Sequence, residues 1–414
     1  MSGAIMEFCD TVPKSVIQAL VKRNQPFTFS IDVETSNLLI DNGFLLNKET
    51  DELEILKDRL SRCRRGERAL GIGIAPTMNC NFRCIYCYQD HEAIDMPISL
   101  QDAVLRYTEK NIHEREYLRI SWFGGEPLLR IDILEYMTNQ FLKLCKENSV
   151  HFIGDITTNG YLLSQNTSKI LRAIEISSIQ ITLDGPAEAH DKRRFLKGKK
   201  PTFDKILRNL FDAANIFDQI IIRINIDKQN YSRISNLLDD LIGIRKKITL
   251  AFRPATSTRT PEKREPWCLT PHSFLSLDRK LNNLALEKGF QTARGYAIPG
   301  TSFCSGYQKN SFIVDPHGGI HRCPVCVGRE QDRFGVLLEQ GEIKIIEGLQ
   351  TQWDQWDPFQ DQECRQCKAL PICMGGCLWF LGHDKEKTLQ CSLKDNLIQS
   401  LEKDYSFSKT VFKR

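Results

Sequence analysis

Residues 78–88 read Met78-Asn-Cys80-Asn-Phe-Arg-Cys84-Ile-Tyr86-Cys87-Tyr88, and this stretch places three cysteines at i, i+4 and i+7 directly after an apolar run. A four-iron cluster normally takes one thiolate for each iron. A loop that offers three thiolates therefore leaves one iron open, as a catalytic zinc site leaves one position for a small ligand. The alternative is a chance group of buried cysteines in a chain that has 15 of them. The spacing favours a cluster site.

The stretch resembles the signature loop of the radical S-adenosylmethionine (SAM) superfamily. The resemblance implies that Cys80, Cys84 and Cys87 are catalytic and hold a 4Fe–4S cluster whose open iron binds SAM. It also implies that the reduced cluster cleaves SAM and yields a 5′-deoxyadenosyl radical, which removes a hydrogen atom from the substrate. The aromatic residue before the third cysteine, Tyr86, is then expected to lie against the adenine of SAM.

Composition and charge narrow the protein class. The 414 residues suffice for two or three domains, and the net charge of +4 is too small to imply a nucleic-acid partner. No apolar run is as long as a membrane span, and residues 1–15 lack the basic and apolar regions of a signal peptide. The basic runs at 62–65 and 191–200 are typical of solvated loops, with phosphate binding as the alternative. We expect a cytoplasmic protein without a membrane or nucleic-acid partner.

Strand-like and helix-like segments alternate from residue 69 to residue 287. Strands are predicted at 70–75, 118–123, 151–157, 178–183, 219–226 and 248–253. Amphipathic helices are predicted between them at 100–111, 131–148, 165–173, 202–214 and 232–244. Repeated β–α units predict an α/β fold with a parallel sheet and helices outside it. Six such units fit the partial (β/α)6 barrel of the radical SAM family.

The sequence of residues 1–68 predicts a small α+β unit. Helices are expected at 12–22 and 49–62, with short extended runs at 27–31 and 38–46. The second helix has an acidic start and a basic end, which suits the helix dipole. The unit could cap the next domain or dock a peptide, and it loosely resembles the winged-helix leader-recognition element of peptide-modifying enzymes.

Unusual residues follow the predicted strands at one end of the sheet. Gly124-Gly-Glu-Pro127 follows the second strand, Thr157-Thr-Asn-Gly160 the third, and Thr182-Leu-Asp-Gly-Pro186 ends the fourth. Arg223 and Asn225 lie at the end of the fifth. In a parallel barrel these points share the rim that carries active sites. The alternative for each is ordinary turn chemistry, because Gly, Asn, Asp and Pro favour turns.

Each of these residues has a possible use in binding SAM. Glycines let the backbone approach a ligand, and a carboxylate or carbonyl oxygen can accept hydrogen bonds from the SAM ammonium. The family's second-strand GGEP motif does this work and is matched here without a change. A guanidinium suits the SAM carboxylate, and a hydroxyl suits the ribose. The candidate SAM-binding residues are Tyr86, Gly124, Gly125, Glu126, Pro127, Asn159, Thr182, Arg193, Arg194 and Arg223.

Eight of the 15 cysteines lie between Cys304 and Cys391. Seven of them form the pattern Cys304-x13-Gly318-x4-Cys323, then Cys364-x2-Cys367-x5-Cys373-x3-Cys377, and finally Cys391. This arrangement resembles the SPASM domain, including Gly318 and Met374-Gly-Gly376, and a zinc ribbon is the alternative. Cys9, Cys63, Cys145 and Cys268 lie elsewhere and are most simply small core residues.

The SPASM resemblance implies two auxiliary 4Fe–4S clusters, three clusters in all. By position, Cys364, Cys367, Cys373 and Cys391 would hold one of the two. Cys304, Cys323 and Cys377 would hold the other, which is one thiolate short. Cys326 is our first candidate for the missing ligand, Cys268 is a second, and an open iron is the third possibility. The predicted domains are thus the unit at 1–68, the barrel at 69–300 and the SPASM domain at 301–414.

One residue departs from a related group of enzymes. Anaerobic sulfatase-maturating enzymes share this layout but have an Asp immediately after the counterpart of Cys323. Pro324 stands there in this chain and cannot act as a base, which argues against that activity. Asp315, His317 and His321 are nearby candidates for a proton acceptor, although Asp315-Pro-His-Gly is also a typical turn.

The resemblance implies a peptide maturase, similar to those that form thioether or cyclophane cross-links. It would act on a ribosomally made precursor, close a C–S, C–C or C–O bond, and pass an electron to an auxiliary cluster. Alternatives are epimerisation, backbone excision, a protein oxidase resembling the sulfatase maturases, or an iron–sulfur electron-transfer protein. Expected partners are the precursor peptide and an electron donor of the flavodoxin or ferredoxin type; a separate leader-binding protein is a further candidate.

Overall fold

The computed structural model describes residues 33–41, 49–255, 265–293, 304–346 and 354–377. Six parallel strands form the centre of its sheet, and each lies within two residues of its predicted bounds. They are β1 (Ala69–Ile74), β2 (Tyr117–Trp122), β3 (His151–Thr158), β4 (Ile176–Thr182), β5 (Ile220–Ile226) and β6 (Ile248–Pro254). The predicted α/β fold with a large parallel sheet is confirmed.

Helices follow each of these strands, and five of them lie where the sequence predicts a helix. They are α3 (Ile98–Asn111), α4 (Ile131–Asn148), α5 (Gln165–Ala173), α6 (Ala187–His190), α7 (Phe203–Ala214), α8 (Ile234–Asp240) and α9 (Pro271–Glu287). The helix predicted at 232–244 is shorter than expected, because a separate 3-10 turn takes up Ile242–Ile244. None of the described helices is long and apolar enough to cross a membrane.

The core lies between the strands and the helices that cover them. In β1 the side chains of Leu70, Ile72 and Ile74 are buried, and Ala69, Gly71 and Gly73 alternate with them on the other face. The same alternation in β2 buries Leu118, Ile120 and Trp122. Side chains alternate in this way because successive residues of a strand point to opposite faces. One face of these strands therefore carries the core, and the predicted site residues follow their carboxyl ends.

Five further strands extend the sheet beyond the six that were predicted. They are β7 (Gln291–Thr292), β8 (Ser311–Val314), β9 (Gly319–His321), β10 (Gly335–Leu338) and β11 (Glu342–Ile345). β7 pairs with β6, and β8 pairs in parallel with β1. β8 to β11 then form an antiparallel series at that edge. The sheet thus continues across the domain boundary predicted at residue 300, and the boundaries themselves remain a prediction.

The N-terminal region contributes two described helices, α1 (Val33–Asp41) and α2 (Glu52–Arg65). The extended run predicted at 38–46 is wrong over residues 38–41, which are helical; the predicted elements at 12–22 and 27–31 lie outside the described residues. Asp51 caps α2 by accepting hydrogen bonds from two of its first backbone N–H groups, and Gly66 ends it in the left-handed conformation. These caps place α2 three residues later than predicted.

Helix α2 packs against the C-terminal cysteine region. Its buried Leu56 and Leu60 form a small core with Phe359, Leu370 and Met374. The short helices α10 (Gln362–Arg365) and α11 (Leu370–Cys373) belong to this region. The helix of the predicted N-terminal unit is therefore joined by an apolar contact to residues about 300 positions later in the chain.

Candidate active site

The cysteine loop, residues 78–88, follows β1 and is held on both sides. On one side, Gly125 and Glu126 donate backbone hydrogen bonds to the carbonyls of Thr77 and Asn79, at 3.0 and 2.9 Å. On the other side, the loop runs antiparallel to residues 193–197, with an isolated bridge between Phe82 and Leu196. Protein segments on both sides therefore hold the backbone of the loop.

Gly124 and Gly125 permit this close contact. A Cβ at Gly125 would lie 2.0 Å from the carbonyl oxygen of Asn79, and one at Gly124 would lie 2.6 Å from that of Thr77. Gly124 also has a φ of +115°, which side chains rarely adopt. The sequence predicts that a ligand approaches these glycines closely. In the structure the backbone at the start of the cysteine loop makes this close approach.

The carboxylate of Glu126 is completely buried and bonded within the protein. It accepts hydrogen bonds from the Thr158 hydroxyl at 2.7 Å, the Asn159 backbone at 2.7 Å and the Leu128 backbone at 3.1 Å. Burial raises the pKa of this carboxyl, and these hydrogen bonds oppose the rise. Glu126 therefore ties the GGEP segment to the end of β3, and three of its acceptor positions are already used by protein donors.

Asn159 links the same strand end to the cysteine loop. Its side-chain nitrogen donates to the Asn81 side chain at 2.8 Å, and its side-chain oxygen accepts from the Tyr161 backbone at 3.0 Å. Because Asn81 lies directly after Cys80, Asn159 helps to position the first cysteine.

Burial disfavours the thiolate forms of Cys80 and Cys84. Loss of water raises the pKa of Cys80 to about 12, and the charge of Glu126 adds to the rise. Burial also raises the pKa of Cys84 to about 11, although the Arg194 guanidinium acts in the opposite direction. Charge on Cys87 raises both values further, so the three thiols lie near one another. Metal binding at such a site must release protons.

The hydroxyl of Tyr86, a half-buried residue, is the centre of a hydrogen-bond network with buried partners. It donates to the carboxylate of Asp184 and accepts from Arg194 at 2.8 Å and from Asn225 at 3.1 Å. The Arg193 guanidinium lies over the Tyr86 ring, 5.3 Å from its centroid. Burial raises the pKa of Tyr86 well above its ordinary value. The network joins the cysteine loop to the ends of β4 and β5.

The three candidate arginines differ in their partners. Arg193 is buried and forms ion pairs with Asp227 and, at 3.6 Å, with Asp184. Arg194 is buried against the Phe82 ring and donates to Tyr86.

Arg223 is half-buried and forms no ion pair with a described residue; its Nε donates to Asn225 at 2.9 Å. Burial lowers the pKa of Arg223, and the neighbouring Arg253 lowers it further. Thr182 lies opposite Arg223 in the pairing of β4 with β5. Arg223 therefore has the least compensated charge of the three arginines.

Sequence reasoning missed three residues that hold the network together. Asp184 accepts from Tyr86 and, at 3.0 Å, from the Asn225 backbone. Asp227 pairs with Arg193, and Asn230 donates to the carbonyls of Asp184 and Asn225, each at 2.8 Å. All three side chains are completely buried. The Leu-Asp-Gly-Pro turn after β4 was a usable signal for Asp184, but nothing in the sequence marks the other two.

A second cysteine pair lies beside the cysteine loop. Cys323 and Cys326 are joined by a thiol–thiol hydrogen bond, which lowers the pKa of Cys323 and raises that of Cys326. Val327, the next residue, packs with Met78 in a small apolar cluster. Tyr88 lies between the groups: burial raises its pKa, and charge on Cys87, Cys323 and Cys326 raises it further.

Other predicted cluster ligands converge on the segment that begins at Cys304. Loss of water around the sulfur raises the pKa of Cys304, and negative charge on Cys323, Cys377 and Cys63 raises it further. Cys63 was predicted to be a core residue, but it is half-buried and lies near Cys304. Cys145 is buried in the main core, as expected. Cys268 is also buried, and the carbonyl of the preceding residue, Trp267, accepts a hydrogen bond from the Lys228 backbone.

The remaining C-terminal cysteines lie on and after the short helices α10 and α11. Cys364 and Cys367 pack at the edge of the small core under α2. Cys373 ends α11, and Met374, Gly375 and Gly376 all have positive φ angles, which turn the chain toward Cys377. Cys391 lies outside the described residues.

The cysteines of the described ranges are all free of disulfides. Within the same ranges, no three His, Cys, Asp or Glu side chains surround one common ion position. A four-iron cluster holds each thiolate on a different iron, so its ligands stand farther apart than those of a single zinc ion. A donor set made only of cysteine thiols fits 4Fe–4S clusters.

Two of the candidate proton acceptors near Cys323, Asp315 and His321, form hydrogen bonds within the β8–β9 turn. Asp315 and His321 are completely buried and bonded to each other at 2.8 Å. Asp315 also accepts from the backbones of His317 and Gly319, at 2.9 and 2.8 Å. The His317 ring contacts Glu92 at 2.9 Å. Asp315 therefore orders the β8–β9 turn.

The chain is similar in sequence to known radical SAM proteins. Residues 74–241 match the Radical SAM superfamily. A cysteine-type anaerobic sulfatase-maturating enzyme of Clostridium novyi is 24% identical over 373 residues, covering 84% of this chain and 96% of the relative. The mycofactocin maturase MftC of Mycolicibacterium smegmatis is 23% identical over 326 residues, covering 73% of this chain and 76% of the relative.

Solved structures share the fold. The enzyme anSMEcpe with bound AdoMet superposes with a TM-score of 0.65 and 18% identity, covering 83% of this chain and 98% of that chain. Streptococcus suis SuiB bound to the precursor peptide SuiA gives a TM-score of 0.55 and 17% identity, covering 86% and 85%. The family match spans the cysteine loop, the GGEP segment and β2 to β5. The chain therefore carries a radical SAM domain over residues 74–241.

Proposed function

We propose that this enzyme modifies a ribosomally synthesised precursor peptide by abstracting a hydrogen atom and closing an oxidative cross-link. The observation that carries the proposal is the position of Cys323 and Cys326 beside the radical SAM loop: Val327 shares a small apolar cluster with Met78, and Tyr88 lies near Cys87, Cys323 and Cys326. A substrate held over the loop would then lie near an electron acceptor. The peptide maturases among the relatives and structural neighbours support the same substrate class.

The residues present fit the cofactors that the superfamily implies. Cys80, Cys84 and Cys87 would hold the first 4Fe–4S cluster. When bound, this cluster and SAM supply the 5′-deoxyadenosyl radical, and the protein supplies binding, orientation and exclusion of water. The buried network around Tyr86 keeps the loop in one conformation, which favours a fixed geometry for hydrogen abstraction.

The contacts of the candidate residues suggest their roles toward SAM. Arg223 is the best candidate for the SAM carboxylate, because Arg193 and Arg194 are already engaged with Asp227 and Tyr86. Thr182, which lies opposite Arg223, is placed to reach the ribose. The Glu126 carboxylate is used by protein donors, so the backbone carbonyls of Gly124–Pro127 are better candidates for the SAM ammonium.

Two auxiliary clusters complete the proposal. Cys364, Cys367, Cys373 and Cys391 would hold one, and Cys304, Cys323 and Cys377 would hold the other. Each cross-link would remove two hydrogens from the peptide: one leaves as a hydrogen atom to 5′-deoxyadenosine, and the other as a proton whose electron passes to an auxiliary cluster. Reduction would need a donor of the flavodoxin or ferredoxin type, and thiolate-bound clusters suit a reducing cytoplasm. Residues 1–68 or a separate protein would bind the peptide leader.

A second candidate function is oxidation of a sulfatase, supported by the 96% coverage of the sulfatase-maturating relative. Pro324 argues against it, because it begins a 3-10 turn directly after Cys323 and has no carboxylate to take a proton. Epimerisation and backbone excision are alternatives on the same scaffold. Each would leave a different change in the mass of the peptide.

The experiment is incubation of the reconstituted enzyme with the precursor peptide encoded beside it, SAM and a reductant, without oxygen. We expect one 5′-deoxyadenosine per event and a loss of roughly 2 Da per cross-link, located by tandem mass spectrometry. We expect the acceptor to be a Cys thiol or an aromatic side chain within a few residues of the attacked carbon. An unchanged mass with an inverted residue would indicate epimerisation, and a loss of tens of daltons would indicate excision. Turnover of a sulfatase peptide alone would favour the second candidate.

A further inference from the structure

We propose that Cys63, on helix α2, supplies the fourth thiolate to the auxiliary cluster held by Cys304, Cys323 and Cys377. This inference rests on the auxiliary clusters of the proposed function but not on the peptide product. It gives the N-terminal helix a part in building the C-terminal metal site. It also removes the open iron, so that this cluster would transfer electrons without binding the substrate directly.

The helix presents Cys63 on its inner face. Leu53, Leu56, Leu60 and Cys63 follow one another at spacings of three and four residues, which places them on one side of an α-helix. The leucines of this stripe pack against Phe359, Leu370 and Met374, and Cys364 and Cys367 lie at the edge of the same cluster. Cys63 therefore continues an apolar stripe that already faces cluster ligands.

Backbone contacts hold Cys63 beside the segment that follows Cys304. The amide of Lys309 donates to the Arg64 carbonyl at 2.8 Å. The Asn310 side chain donates to the Arg65 carbonyl at 3.0 Å, and the Gln308 side chain lies 3.8 Å from the Cys63 sulfur. Three successive residues of one segment thus contact three successive residues at the end of the helix.

Tyr307 connects the same place to the other two ligand segments. Its backbone amide donates to the Cys304 carbonyl at 3.0 Å, and its hydroxyl donates to the carbonyl of Gly376, the residue before Cys377, at 3.0 Å. The Arg64 guanidinium lies over its ring, 5.5 Å from the centroid. The sulfur of Cys304 is therefore within electrostatic reach of the sulfurs of Cys63, Cys323 and Cys377.

The same geometry argues against Cys326 as the fourth ligand. The thiolates of one four-iron cluster bind different irons, so its ligands approach from different sides. Cys326 is hydrogen-bonded to Cys323, whereas Cys63 reaches the group from another segment. Cys326 is better placed to donate a hydrogen bond to the Cys323 thiolate, which is a common way to tune a cluster.

The test uses the full-length protein, reconstituted anaerobically, in four forms: wild type, Cys63→Ala, Cys326→Ala and Ser61→Ala. Ser61 is an exposed residue of the same helix and serves as the matched control. Iron per chain and the electron paramagnetic resonance spectrum of the reduced protein are measured, with circular dichroism to verify folding. Cys63→Ala should lower iron from about 12 per chain to about 8–11, or give a new cluster signal. Ser61→Ala should match the wild type.

A second measurement keeps the inference testable if Cys63→Ala does not fold. The wild-type protein, with and without its clusters, is alkylated and the modified cysteines are mapped by mass spectrometry. Cys63 should be protected only when the clusters are loaded. Equal alkylation in both states, or an unchanged iron content and spectrum in Cys63→Ala, would overturn the inference, as would a spectrum that changes only in Cys326→Ala. A wild-type chain that takes up only about four irons would instead refute the auxiliary clusters of the proposed function.

Discussion

The hydroxyl of Tyr86 donates a hydrogen bond to the carboxylate of Asp184, two residues that stand 98 positions apart in the chain. Tyr86 precedes the last cysteine of the loop, and Asp184 lies just after β4. The bond therefore joins the segment expected to hold the first cluster to the strand ends expected to hold SAM. Arg193 stabilises Asp184 from the other side, with an ion-pair distance of 3.6 Å.

Tyr86→Phe should weaken the coupling between the cysteine loop and the SAM site. The change removes a hydroxyl that satisfies Arg194 and Asn225, and buried polar groups that lose a partner cost about 1–3 kcal/mol. We expect an apparent melting temperature below that of the wild type, nearly normal iron content and slower formation of 5′-deoxyadenosine. Tyr136→Phe, which removes an exposed hydroxyl on α4, is the control. Identical kinetics in both variants would contradict a role for the network.

Gly125→Ala should prevent loading of the first cluster. A Cβ at this position would lie 2.0 Å from the carbonyl oxygen of Asn79, which is backbone and cannot move without shifting Cys80. We expect a loss of about four irons per chain and no SAM cleavage. Gly243→Ala is the control, because its added Cβ would meet only the Phe211 ring, at 3.1 Å. Normal iron content in Gly125→Ala would show that the loop can hold its cluster in another position.

Arg223→Ala should weaken SAM binding more than it affects folding. Arg223 is the candidate arginine whose pKa is lowered by burial and by the neighbouring Arg253, and a hydrogen bond to a charged group is worth about 1.5–3 kcal/mol. The dissociation constant of SAM should therefore rise roughly ten- to a hundredfold, as measured by calorimetry on the reconstituted protein. Arg119→Ala, an exposed arginine on β2, should bind SAM normally. Wild-type affinity in Arg223→Ala would transfer the role to Arg193 or Arg194.

The sequence was sufficient for the strand order and the rim, because both are encoded locally. Runs such as Ile-Ile-Ile-Arg-Ile-Asn-Ile at 220–226 indicate a strand wherever they occur, and glycine motifs identify the turns that follow. The predicted strands were accordingly confirmed to within two residues. The cysteine spacings indicated the chemistry for the same reason.

Contacts between distant residues could not be predicted in this way. Glu126 or a nearby carbonyl is predicted to bind the SAM ammonium, but the bonds of the Glu126 carboxylate to Thr158 and to two backbone amides depend on how the ends of β2 and β3 meet. Cys63 was expected to be a core residue, because its sequence neighbours carry no cysteine pattern. Its proximity to Cys304 depends on the packing of α2 against residues 359–374, which no local pattern encodes.

His190 should make the protein less stable in acid. Burial lowers the pKa of this imidazole well below its ordinary value, and the charges of Arg194 and Arg193 lower it further. In the unfolded chain the group takes up a proton near pH 6.5. The unfolded state therefore binds more protons below that pH, and stability should fall by up to about 1.4 kcal/mol per pH unit.

The measurement is the apparent melting temperature of the wild type and of His190→Gln at pH 8.0 and pH 5.5. Gln stays neutral at both values, so the variant should lose less stability between them than the wild type does. Equal losses would show that other groups govern the acid response. His113→Gln, at a position outside the described strands and helices, is the control and should follow the wild type.

Cys364→Ala should separate radical formation from product formation. Cys364 lies in the C-terminal region, and the cysteines of the first loop remain intact in this variant. The soluble fraction should therefore still convert SAM to 5′-deoxyadenosine but release little cross-linked peptide, because the electron from the substrate would have no acceptor. Some loss of folded protein is also expected, since a cluster at this site would connect distant segments.

Cys145→Ala, which changes a buried core cysteine on α4, is the control and should keep its ratio of product to 5′-deoxyadenosine. Both compounds are quantified in the same reaction by liquid chromatography with mass spectrometry. A wild-type product ratio from Cys364→Ala, in protein shown by its iron content to lack one auxiliary cluster, would exclude that cluster as the electron acceptor.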